Sequence, residues 1–410
     1  MPKRMRRGWP RRARISNRSR LVAVWKKALN RSAWVLPVLL IVELFGAAAG
    51  ANAQGDRVAA QQPLTIYVTD TEGGKTALWI APSGQTVLID SGSPGTRDLD
   101  RLMDVVAAAG VTRIDYLIST HYHVDHVGGL QELVKRIPVG TFVDHGPTVE
   151  GPIAPNLREQ VPGFQAAYAE LWARAKHLVV KPGDTIPVAG LDWKIVASAG
   201  AALKTPIAGA PGAGQTNRAA CAQTPPKDIT TDPENGQSVG SLITLGRFRA
   251  ADFGDLLWNN EVGLMCPDNP LGTVALFMVT HHGLNASNSP AMVHGLKPRV
   301  AVMQNGTNKG AAVDVMQLLR SSPGLEDIWQ LHWSYTAGIE HNAPGVFIAN
   351  LEEPATMAAR LTAAPGGGSG RGAGAPPHVP AYWIKVTANA NGSFTVVNSR
   401  NNFSKTYNAQ

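Results

Sequence analysis

The chain has 410 residues, 44% of them hydrophobic, and a formal net charge of +8. That length suits one large domain or two ordinary ones. The charge is unevenly placed: residues 1–53 hold twelve Lys/Arg against one acid, Glu43, leaving 26 basic and 29 acidic side chains beyond. The bulk of the chain is therefore slightly acidic, and no specific nucleic-acid-binding module is expected.

In chain order, the first segment has the make-up of an export signal. A basic stretch ends at Arg31, an apolar run covers residues 33–42, and Ala51-Asn52-Ala53 supplies an A-x-A cleavage pattern. The expectation is a signal peptide over 1–53, a folded domain over 54–410, and a periplasmic or secreted location. The competing reading is an uncleaved anchor, which would be the only membrane attachment. Pro37 and Glu43 interrupt the apolar run, whereas about 20 apolar residues span comfortably. Arg6-Arg7 and Arg11-Arg12 raise a twin-arginine route.

Strands are expected at 64–69, 76–81 and 86–91, separated by Gly73-Gly74 and Ser83-Gly84. Apolar spacing at Leu99, Leu102, Val105 and Val106 predicts a helix over 98–109, stopped by Gly110. Residues 114–119 read as a buried strand leading into His121-Tyr122-His123-Val124-Asp125-His126. Three histidines and a carboxylate within six residues are ligands for zinc-like ions. In an extended chain His121 and His123 face one way, and a following turn lets Asp125 and His126 face a second ion. Loops beyond the carboxyl ends of strands are where α/β folds place ligands.

Further on, helices are expected at 130–137, 166–175, 313–319 and 325–331. Strands are expected at 139–143, 178–180, 193–197, 241–245, 249–253, 274–279, 300–303, 382–388 and 393–397. Residues 200–235 and 352–379 read as long loops, the second containing a Gly/Pro-rich run at 365–377. Strand clusters alternating with helices indicate a layered α/β architecture.

The motif resembles that of the metallo-β-lactamase superfamily of binuclear metal hydrolases. Three more segments fit in the same order: Thr86–Gly92 with its Asp90, Phe253-Gly254-Asp255, and Thr280-His281-His282-Gly283. The resemblance is closest to the ComEC-like competence-protein branch and the phosphorylcholine esterases. It implies a four-layer αββα sandwich holding two Zn2+, with Mn2+ or Fe as alternatives. It places His121 and His123 on the first ion, Asp125, His126 and His282 on the second, and Asp255 between them, with Asp90 as a support. Asp125 and His281 are then the catalytic residues, His281 donating a hydrogen bond to substrate. The roles of His281 and His282 could be exchanged. Many superfamily members have another histidine on the first ion; only His145 and His177 lie in that interval. His145 is the better placed, and His177 looks like a surface helix end.

The implied function is an exported hydrolase of phosphoesters or phosphodiesters, acting on a small-molecule or polymer ester through a metal-bridging hydroxide. The alternatives are a β-lactam or lactone hydrolase, and a non-catalytic envelope binding protein. Cys221 and Cys266 are the only cysteines. Both lie in loop-like sequence, so they form a disulfide or one of them serves a metal. His294, His332, His341 and His378 are expected at the surface or in the core. Trp258 either lines the cleft or packs. Residues 235–238 and 305–306 read as turns.

Overall fold

Alternation of large apolar residues along the strands fixes the layering. In the computed structural model, which describes residues 62–149, 160–229, 232–362 and 380–409, successive strand residues fall into different packing layers. The leader at 1–53, the run at 365–377 and His378 lie outside the described residues. The strands of the first part are β1 (Leu64–Val68), β2 (Ala77–Ile80), β3 (Thr86–Ile89), β4 (Ile114–Ile118), β5 (Val139–Asp144) and β6 (Lys176–Val179). There follow β7 (Thr185–Ile186), β8 (Asp192–Ser198), β9 (Ala201–Ala202), β10 (Gln215–Thr216), β11 (Gly240–Leu245), β12 (Phe248–Asp252) and β13 (Asp268–Asn269). Then come β14 (Leu276–Met278), β15 (Val300–Met303), β16 (Asp327–His332), β17 (Ile348–Asn350), β18 (Ile384–Ala388), β19 (Ser393–Asn398) and β20 (Ser404–Asn408).

One sheet runs β20-β19-β18-β1-β2-β3-β4-β5-β6; the other runs β17-β16-β15-β14-β12-β11-β8-β7, with β9 on β8. Ile66, Trp79, Val87 and Ile89 of the first meet Trp193, Ile243, Ala250 and Val302 of the second in one buried core. The residues between them in sequence face outward. Tyr67, Leu78 and Leu88 pack beneath α1 (Arg97–Ala108), α3 (Leu130–Arg136) and α4 (Gln160–Trp172). Leu242, Ala251 and Ala301 pack beneath α6 (Trp258–Met265), α7 (Pro290–Leu296) and α8 (Val313–Ser321). The period of two thus feeds two interfaces from each strand, and the result is the αββα sandwich. Trp79 and Trp193 meet edge to face across the centre, ring centroids 5.3 Å apart.

Both sheets are parallel where they matter. β3, β4, β5 and β6 run parallel, as do β12, β14, β15, β16 and β17. Their carboxyl ends gather the polar segments described below. Among the described residues no helix is long and apolar enough to cross a membrane.

Three expectations are corrected. Residues 325–331 form β16, not a helix: Ile328 to His332 are all buried between two parallel neighbours, which a one-sided helix cannot satisfy. The stretch 200–235 carries β9, β10 and α5 (Arg218–Ala222), and a helix spans Pro354–Thr362. Cys221 in α5 and Cys266 after α6 form a disulfide with Cα atoms 5.9 Å apart, so the long segment is stapled. Finally, His177 lies on β6; its ring stacks on Trp172 at 4.0 Å and its Nε2 is 2.6 Å from Asp144 Oδ2.

Candidate metal centre

β3, β4, β12 and β14 end in turns that converge. After β4 the chain runs extended through His121 and enters a one-turn helix, α2 (Val124–Val127), after His123. After β12, Asp255 follows a turn in which Asp252 Oδ1 accepts from Gly254 N at 3.1 Å. After β14, His281 and His282 both adopt left-handed backbone, φ 53° and 56°. That conformation costs about 1–2 kcal/mol for a residue with a Cβ, and strain of this kind concentrates at functional sites. It lets two adjacent residues send rings to the same side. The His281 N–H donates to Gly254 O at 3.0 Å, tying this turn to that of Asp255. Gly310 is required beside it: a Cβ there would lie 1.9 Å from the His282 carbonyl oxygen.

Two donor groups result. His121, His126 and Asp255 form one; Asp125, His126 and His282 form the other; within each, the ligand atoms lie within 4.8 Å of one another. Asp255 Oδ2 is 3.2 Å from His126 Nε2, 3.3 Å from His282 Nε2 and 3.5 Å from His281 Nε2. His123 belongs to neither group; its ring lies 4.7 Å from that of His121. His282 enters a group and His281 does not. His281 stands alongside, with Nδ1 3.1 Å from Ser287 Oγ.

The hydrogen bonds select the ligand tautomer. His282 Nδ1 lies 3.0 Å from Gln304 O, a carbonyl that only accepts, so the proton sits on Nδ1 and Nε2 keeps its lone pair. His126 Nδ1 is 2.8 Å from Asp90 Oδ2, which keeps a proton on Nδ1 and makes Nε2, facing Asp255, the atom that would give up its proton to an ion. Asp90 is itself held by Thr120 N at 2.8 Å and Thr120 Oγ1 at 2.7 Å. Carboxylate and carbonyl partners of this kind orient metal-binding imidazoles. His121 Nε2 and Asp255 Oδ1 are buried without a hydrogen-bond partner, which is costly unless a cation takes the lone pairs.

The electrostatics agree. Burial opposes charge on His126, yet Asp255, Asp90 and Asp125 raise its pKa to about 10. Burial likewise opposes ionisation of Asp255, but His126, His282 and His281 outweigh it and hold the carboxyl well below the usual range. Asp125 is held down the same way, by Lys309 and His126 against burial. The pocket is built to hold positive charge. His121, by contrast, is pushed well down by burial and by its histidine neighbours, and burial takes His281 down to about 4. Both are neutral imidazoles. The donors are nitrogen and carboxylate oxygen, which suits divalent ions of the zinc type.

His145 is not in either group. Its Nε2 lies 2.9 Å from Glu234 Oε1, and both side chains are fully buried. Glu234 also accepts from Tyr122 N at 3.2 Å and Thr148 Oγ1 at 2.6 Å, so it fixes the backbone between His121 and His123. Residues 235–237, read as a turn, form a single helical turn against the site. Asn235 Nδ2 is 3.5 Å from His281 Nε2, and Ser238 Oγ accepts from Asp255 N at 3.1 Å. Trp258 packs: it is buried, its Nε1 donates to Pro225 O, and Lys227 Nζ sits 3.4 Å from its ring centroid.

Sequence reasoning missed Lys75, Glu234 and Lys309. Lys309 Nζ lies 2.5 Å from Asp125 Oδ2. It sits beyond the carboxyl end of β15, the next parallel strand after β14, and that position was the signal available. Lys75 follows the Gly73-Gly74 turn, which carried no chemical mark.

Residues 70–200 match the profile of the Metallo-beta-lactamase superfamily. Over that third of its length the chain is similar to that superfamily. It is 33% identical over 107 residues to the coenzyme F420H(2) oxidase of Methanothermobacter marburgensis, a match covering 25% of this chain and 23% of that protein. It is 31% identical over 148 residues to Metallo-beta-lactamase domain-containing protein 1 of Rattus norvegicus, covering 30% and 54%. The metallo-β-lactamase-like chain thus spans from about a quarter to about half of the length of these relatives. Among solved structures, a diphosphatase from the PhnP family aligns at 12% identity and TM-score 0.33, over 59% of this chain and 87% of that one.

Proposed function

We propose that this metallo-β-lactamase-like chain is an exported, metal-dependent hydrolase of phosphoesters or phosphodiesters. The observation that carries the reading is the pair of donor groups sharing His126, with Asp255 Oδ2 facing histidines of both. Two divalent ions bound there would polarise water and a phosphoryl or carbonyl oxygen together. His121, His126 and Asp255 would hold one, and Asp125, His126 and His282 the other. His123 stands beside His121 and is proposed to complete the first.

The chain's own residues do the rest. Asp90 and the Gln304 carbonyl fix His126 and His282 in the ligand tautomer. His281 is neutral, is oriented by Ser287 and faces Asp255, so it is placed to hydrogen-bond a leaving oxygen. Phosphoester is favoured over β-lactam because the extra histidine position is spent on Glu234, and because the His281-His282-Gly283 segment resembles that of the ComEC-like branch. The leader-like first 53 residues and the disulfide support export.

The test is elemental analysis of the purified protein together with turnover of bis(p-nitrophenyl) phosphate and of a chromogenic cephalosporin. Bound zinc with phosphodiester turnover is expected, and Asp255→Asn should abolish both activity and most of the metal. Cephalosporin turnover alone would reverse the substrate assignment. Unchanged activity in the variant would end the metal reading.

A further inference from the structure

Lys309 stands where the second donor group meets solvent. Its Nζ is 2.5 Å from Asp125 Oδ2, the same oxygen that lies 3.4 Å from His282 Nε2 and 3.6 Å from His126 Nε2. It is no stray surface lysine. Its carbonyl accepts from Gly306 N at 2.9 Å, closing a tight turn, and Ala311 N two residues on donates to His282 O at 3.1 Å. The turn is thus tied to the backbone of a proposed ligand. Asp255, in the other group, is faced by imidazoles instead.

Resting on the reading that Asp125, His126 and His282 hold a divalent ion, we propose that the Lys309 ammonium is a built-in competitor for that position. Paired with Asp125, it occupies the carboxylate oxygen that the ion needs, so the second ion binds more weakly than the first. The lysine side chain is 37% exposed, which gives the ammonium a path to water when an ion enters. The chain would then hold one ion permanently and take up the other according to the ion concentration around it. An ammonium one ligand away acts on metal affinity as other outer partners do, by about 10–100-fold, but with the opposite sign: removing it strengthens binding.

The test is zinc titration of the metal-stripped full-length protein by calorimetry, with Lys309→Met, Lys309→Gln and Lys309→Arg, each first checked for unchanged thermal melting. Wild type and Lys309→Arg should show two affinities. In Lys309→Met or Lys309→Gln the weaker dissociation constant should fall by about tenfold or more while the tighter one stays put. A weaker affinity that is unchanged or further weakened in both neutral variants overturns the competition. Absence of zinc uptake by every form overturns the metal reading itself, and the competition with it.

Discussion

Lys75→Met isolates the device that joins the two halves of the site. The Lys75 ammonium pairs with Asp252 Oδ1, with the two side chains 4% and 1% exposed. Lys75 lies between β1 and β2 of one sheet, Asp252 at the end of β12 of the other. The same lysine's backbone N–H donates to Asp125 O at 3.0 Å, and Asp252 Oδ1 accepts from Gly254 N, one residue before Asp255. One residue therefore sets the spacing between the two carboxylates of the site. Methionine keeps the length and removes the charge, which strands a buried carboxylate beside the Gly254 N–H. Breaking a buried pair from one side costs about 3–5 kcal/mol. Urea denaturation followed by tryptophan fluorescence should show that loss near neutral pH. Lys75→Met combined with Asp252→Leu should recover most of the loss, because an apolar pair replaces an ionic one. A single variant within about 1 kcal/mol of wild type, or a double variant no better than the single, would refute the argument.

Asp90→Asn should weaken zinc binding by about 10–100-fold in a chelator competition, since an amide no longer fixes the His126 proton on Nδ1; unchanged affinity would remove Asp90 from the metal chemistry. Gly310→Ala forces a Cβ into the His282 carbonyl at a φ of +82°, so metal content should drop and stability should fall by more than about 1 kcal/mol. Reducing Cys221–Cys266, which closes a separation of 45 residues, should cost about 4 kcal/mol in denaturation, and intact-mass alkylation of the native protein should find no free thiol. Burial raises the Glu261 carboxyl to about 7, against backbone donation from Ser289 and Asn288. The folded state thus keeps a proton that an unfolded glutamate has lost, so stability falls as pH rises from about 4 to 7, by on the order of 3 kcal/mol. Glu261→Gln should flatten that slope in urea melts, and an unchanged slope would place its origin elsewhere.

How much was legible depended on whether a residue's role was local. The strands at 64–68, 86–89 and 114–118 show in sequence because apolar period and turn residues are local signals. The His121–His126 segment shows for the same reason: its donors lie within one turn of chain. β16 did not, because a fully buried parallel strand has no polar face to set its period, and Leu325 to Leu331 fits a helix as well. Glu234 and His145 are 89 residues apart and Lys309 and Asp125 are 184 apart. Nothing near Glu234 marks it as the staple of three segments. The sharing of His126 between both donor groups was not legible either, because it depends on Asp255 and His282 arriving from the other sheet.

The centre lies on the seam of the sandwich, and this makes metal binding and sheet packing one equilibrium. Asp90 and the 121–126 segment belong to the first sheet; Asp255, His281, His282 and Lys309 belong to the second. Polar ties join the two sheets beside the apolar core, among them Lys75 to Asp252, Gln304 Nε2 to Thr76 O at 3.0 Å, Val239 N to Thr120 O at 2.9 Å, and His332 Nε2 to Asp70 Oδ1 at 2.6 Å. Lys75–Asp252 and Val239–Thr120 end within a few residues of a proposed ligand, and the Gln304 carbonyl lies 3.0 Å from His282 Nδ1. An ion gripped from both sides favours only the packed sandwich, and at a thousandfold excess over its dissociation constant it adds about 4 kcal/mol. By linkage, a substitution that leaves the seam open in an appreciable fraction of metal-free molecules weakens apparent metal affinity by that lost fraction, whether or not the residue touches the ion.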